Sequence, residues 1–105
     1  MGGSEKLTVV VDKELEDIVP GYLSNRQKDL VRIPQALADE DFNIIRTLGH
    51  RMKGSGAGYG FPPITEIGKQ IEEAAKGSDS EQITQLVAEL SGYLEKIDVV
   101  YEVTS

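Results

Sequence analysis

At 105 residues the chain is long enough for one domain with a single buried core. It has no cysteine, which excludes a disulfide framework and a thiolate metal site and makes the reducing cytoplasm its expected compartment. Eighteen acidic against eleven basic residues give a net charge of −7, which repels nucleic-acid phosphates and anionic lipid, and apolar runs such as Leu7 to Val11 are too short for a membrane span or signal-peptide core.

Met1 to Ser4 (MGGS) reads as a loose terminus outside the fold. Leu7 to Val11 is β-branched but has no evident partner strand, so residues 1–11 are expected to form an extended arm packed on a domain of residues 12–105. Asp12 is placed to cap a first helix carrying Leu15, Ile18, Tyr22, Leu30, Ile33 and Leu37, with a kink or break expected at Pro20 and at Pro34. A second stripe runs through Phe42, Ile45, Leu48, Gly49, Met52, Gly56 and Tyr59 behind an Asp39 or Asp41 cap. Pro62 and Pro63 open a third helix with Ile64, Ile67, Ile71 and Ala74, ending near Gly77. Ser78 and Glu81 form a capping-box pattern for a fourth, carrying Ile83, Leu86, Leu90, Leu94, Ile97 and Val100 or Tyr101. Four one-sided stripes joined by short links predict an all-α, antiparallel, up-and-down four-helix bundle with an N-terminal extension or short extra helix. The six aromatics fall at helical spacing and are expected in the core.

The one histidine, His50, sits in GHRMKGSGAGYG, which holds five of the eleven glycines. On a helical wheel the ring points about 150° from the apolar stripe and so faces water. Arg46, Lys53, Gly54 and Ala57 fall within about 60° of it, with Thr47 and Gly58 slightly further round. Read as helical residues, Gly49, Gly54, Gly56 and Gly58 together cost about 3–4 kcal/mol, a sizeable share of a net stability of roughly 5–15 kcal/mol. Close approach is the compensation that fits: a partner surface over the outer glycines, a neighbouring helix against Gly49 and Gly56. The alternative is a loop that begins after Lys53. The glycines do not make a phosphate loop, which needs its lysine after them, and no strand precedes them as a dinucleotide fold requires.

His50-Arg51-Met52-Lys53-Gly54-Ser55-Gly56 resembles the H-x-x-K-G-S-[SAG] signature of histidine-containing phosphotransfer (HPt) domains, four-helix intermediates of multistep phosphorelays. The resemblance continues through Gly60 to Gly68 and Glu72, and more loosely covers residues 12–102. It implies that His50 accepts a phosphoryl group, that Lys53 steadies it, that Glu72 holds the other ring nitrogen, and that Gly54 clears space for a receiver domain. Arg46, Thr47, Ala57 and Gly58 then belong to the docking surface. The implied partners are a response-regulator receiver domain, a hybrid histidine kinase, or both, with the chain acting as a monomeric carrier. No cofactor is expected, the divalent metal being carried by the receiver. Gly49 stands where the family more usually has alanine, and Pro34 interrupts a helix that is smooth in the family. Two other readings are an interaction module whose glycine-smooth patch docks a partner without chemistry, and the phosphoaccepting domain of a chemotaxis-type kinase.

Overall fold

The computed structural model describes residues 6–103; the MGGS terminus lies outside them. Four helices, α1 (Val19–Ala38), α2 (Phe42–Ser55), α3 (Pro62–Lys76) and α4 (Ser80–Lys96), form the expected antiparallel bundle. Their stripes meet in one core, in which Val19, Ile33, Ile45, Met52, Phe61, Ile64, Ile71, Ile83 and Leu90 are fully buried. Each such aliphatic or aromatic side chain contributes about 1.5–3 kcal/mol on leaving water. The aromatics join this core: Tyr22 stacks on Tyr59 at 4.1 Å and faces Phe61 at 6.3 Å.

The chain ends depart from expectation. β1 (Leu7–Asp12) pairs in parallel with β2 (Ile97–Glu102), from Leu7 opposite Ile97 to Asp12 opposite Glu102. Residues 97–101 therefore do not extend the fourth helix, and residues 7–11 are not an unpaired arm. The run Ile97-Asp98-Val99-Val100-Tyr101 fits both periods: Leu94, Ile97 and Tyr101 keep helical spacing, while Ile97, Val99 and Tyr101 alternate half-buried with exposed Asp98, Val100 and Glu102. β-Branched content and a partner strand about ninety residues away decide for the sheet.

Smaller corrections have local causes. Asp12 caps a 3₁₀ turn at Lys13–Leu15, accepting from the Glu14 amide at 2.9 Å, and α1 begins only at Val19. Pro20 stands in the first turn of α1, where its missing N–H costs nothing, so it starts the helix rather than breaking it. Pro34 is accommodated inside α1, exposed to solvent, while Ile33 and Ala36 on the other side stay buried and hold the helix in place. Asp41 caps α2. Asp79, rather than Ser78, caps α4, because Ser78 takes a left-handed turn conformation (φ 53°) and hands the capping position to its neighbour. α2 ends at Ser55, so only Gly49 and Gly54 of the four counted glycines carry a helical cost. A 3₁₀ turn, Ala57–Tyr59, and Gly60 at φ 100° then reverse the chain into α3.

Candidate functional site

The site is built where α2 and α3 touch backbone to backbone. A Cβ on Gly49 would lie 2.7 Å from the Glu72 amide nitrogen and 2.9 Å from the Gly68 carbonyl oxygen. One on Gly68 would lie 2.5 Å from the Lys53 amide nitrogen. Neither position tolerates a side chain without moving main chain. Gly56 is equally closed, since a Cβ there would lie 2.5 Å from the Thr65 amide nitrogen, and the Thr65 hydroxyl accepts the Ala57 amide at 2.8 Å. This seam brings the third helix close enough for Glu72 to reach under the imidazole of the residue beside Gly49.

His50 projects from α2 with its side chain 69% exposed, as its place on the wheel requires. Its Nδ1 lies 3.1 Å from Glu72 Oε2, and Lys53 Nζ donates to Glu72 Oε1 at 3.3 Å. Glu72 itself is buried. Burial pushes its carboxyl up, but the Lys53 ammonium and the His50 ring outweigh it and leave the group below the usual carboxylate range. An ionised carboxylate only accepts, so Nδ1 carries the proton and the lone pair of Nε2 is the one free to point outward.

The ring stands on the edge of a shallow depression of about 410 Å³ lined by Arg46, Thr47, His50, Glu72 and Lys76. Lys76 escaped the sequence reading. Its place one turn beyond Glu72, on the same helix face, is the signal that could have found it. Lys53 stands apart from this depression, engaged with the carboxylate on the ring's other side. Gly54, Ala57 and Gly58 are exposed at the end of α2, and a Cβ on Gly54 or Gly58 would meet nothing within 4 Å. Their smoothness answers no contact within the described residues. A second interaction missed from sequence pins this end of α2: the hydroxyls of Tyr22 and Ser55 share a hydrogen bond of 2.9 Å.

The stretch that carries these residues falls within a family match. The Hpt domain model matches residues 17–98. The chain belongs to the Hpt domain family. Hpt domains perform histidine phosphotransfer in phosphorelay signalling, interacting with receiver domains and kinases. The match spans all four helices and leaves β1 outside it. No curated protein and no solved structure matches the chain. Among the described residues no group of three or more His, Asp or Glu side chains is placed to hold a metal ion, and no helix is long and apolar enough to cross a membrane.

Proposed function

We propose that His50 Nε2 is the phosphoacceptor of this Hpt domain and carries a phosphoryl group between receiver-domain aspartates. The observation that carries the reading is the exposed ring whose Nδ1 is tethered to a buried, ionised Glu72. The Nε2 lone pair attacks phosphorus of a partner's aspartyl phosphate; the N–P bond forms as the P–O bond breaks, and the aspartate leaves as its carboxylate. The ring, now substituted at Nε2 and protonated at Nδ1, is a cation, and Glu72 is already in place to stabilise it. Reversal returns the phosphoryl group to an aspartate by the same path, with no proton to find or lose.

The cations have divided work in this reading. Lys53 steadies Glu72 and adds positive potential beside the phosphoryl oxygens, while Arg46 and Lys76 on the rim of the depression attract those oxygens from the other side. Gly54, Ala57 and Gly58, with Thr47, give the receiver a flat approach. The domain supplies the nucleophile and its orientation. The attacked aspartate and the divalent ion belong to the receiver, and a cytoplasmic monomer is the working form.

The test is incubation with phosphorylated receiver domains and, separately, with an isolated kinase ATP-binding domain. An acid-labile, base-stable label from a receiver on wild type and none on His50→Gln is the expected result. Labelling from the kinase domain alone favours the chemotaxis-type alternative, and equal labelling of the variant defeats the assignment of His50. Glu72→Ala is expected to slow transfer by about 10–100-fold, the usual cost of losing an imidazole's orienting partner, with Glu72→Gln falling between it and wild type.

A further inference from the structure

A second hollow, between α1 and α2, begins where the depression at His50 stops, and Thr47 lines both. Its other walls are Arg32, Asn43, Ile44, Leu48 and Arg51. Leu48 is buried beneath it and Ile44 remains 37% exposed. The space is about 200 Å³, suited to a side chain and below the roughly 300 Å³ at which drug-sized ligand sites begin.

Two exposed guanidiniums flank this apolar floor. Arg32 and Arg51 make no ion pair among the described residues. The carboxylate next to them, Asp29, is buried and engaged by Arg26 at 2.9 Å, with Arg26 held in turn over the Tyr22 ring at 4.5 Å. Asp39 and Asp41 share a neighbouring hollow with Arg32 yet form no ion pair with it. Arg32 and Arg51 act on buried Asp29 through their charge alone, and with no ion pair among the described residues their donor forks stay open beside an apolar slot in a chain of net charge −7. A guanidinium is a planar, permanently charged fork that fits a carboxylate with two parallel hydrogen bonds.

Resting on the reading of His50 as phosphoacceptor, we propose that this groove is the chain's selectivity element for its receiver. It takes an apolar side chain of the docked receiver over Ile44 and Leu48, with a neighbouring Asp or Glu of the receiver paired to Arg32 and Arg51. Continuity through Thr47 places that contact beside the transferring phosphoryl group, and the charge complementarity selects receivers that present a carboxylate there and rejects those that present a lysine. The groove touches no reacting atom, so it acts on encounter and docking and leaves the nucleophilicity of the ring alone.

The experiment compares two phosphoryl donors on wild type and on Arg32→Glu/Arg51→Glu, with circular dichroism confirming that the variant folds. One donor is a phosphorylated receiver that transfers to wild type; the other is phosphoramidate, which has no surface to dock. The expected result is a fall of about tenfold or more in the receiver rate at low salt, a flatter salt dependence, and phosphoramidate labelling unchanged within about twofold. Recovery with a receiver in which a single surface carboxylate is changed to lysine identifies the paired group. An unchanged receiver rate overturns the proposal, as does an equal loss with both donors, which would mean that the arginines serve the ring. Labelling of His50→Gln by both donors as strongly as wild type overturns the assignment of His50 instead.

Discussion

Within one turn of α2 on either side of His50, glycine does two opposite things. At Gly49 the chain is closed: main chain of α3 occupies the place of the missing Cβ, and Gly68 returns the contact. At Gly54 the chain is open, and a side chain would stand in solvent. The first glycine brings Glu72 to the ring, whereas the second leaves the ring accessible to a visitor. A helix that carries a nucleophile for another protein has to be tightly held on one side and bare on the other, and a small residue serves both needs for unrelated reasons.

The contrast can be broken most forcefully at the closed side. Gly68→Ala puts a methyl group against the Lys53 amide and is expected to cost about 3 kcal/mol, the upper part of the usual range for overpacking, read as a lower urea midpoint. Lifting α3 from α2 should also abolish the His50 to Glu72 bond, visible as a changed imidazole tautomer by nitrogen NMR. On the open side, Gly54→Leu is expected to leave the urea midpoint within about 0.5 kcal/mol of wild type, while receiver-to-His50 transfer slows by about tenfold through crowding of the approach. An unchanged transfer rate would refute the docking role of that glycine. Gly54→Ala sharpens the distinction: stability should rise by up to about 1 kcal/mol, with transfer little altered.

A finer effect separates the two buried carboxylates. Glu72 has its carboxyl held low, so its ionised form stabilises the fold above the ordinary glutamate pKa of about 4.3, and this support is lost as pH falls through the lowered value. Asp29 behaves oppositely. Burial raises its carboxyl despite Arg26, Arg32 and Arg51, so its stabilising contribution is complete below the ordinary aspartate pKa of about 3.9 and is lost as pH rises through the raised value. Urea midpoints between about pH 3 and 6 should therefore lose their acid-side decline in Glu72→Gln and their rising-pH decline in Asp29→Asn. The reverse assignment of slopes would contradict the two environments.

Much of this was legible in the sequence because it is local. The helical stripes, the proline starts at Pro62 and the exposure of His50 follow from spacing, and the signature from His50 to Gly56 is contiguous. Gly49 and Gly56 were also recognisable as inward glycines. What escaped depends on distance along the chain. Glu72 is named by the family resemblance alone, since its own surroundings in the sequence look like those of a solvated carboxylate until α3 is set against Gly49, and Lys76 acquires meaning only once Glu72 does. Asp29 gives no sign of burial, since its neighbours Lys28 and Arg32 are exposed and charged. Residues 97–102 carry two compatible periods, and only strand β1, at the other end of the chain, breaks the tie.

The parallel pairing of those distant segments has a mechanical meaning. Leu7 and Glu102 lie at opposite ends of the ribbon, so a pull that separates Lys6 from Val103 slides one strand along the other and loads every rung at once, where an antiparallel hairpin gripped at its open end would unzip one bond after another. Force applied through flanking chain is thereby spent on the ribbon before it can reach the helix that bears His50.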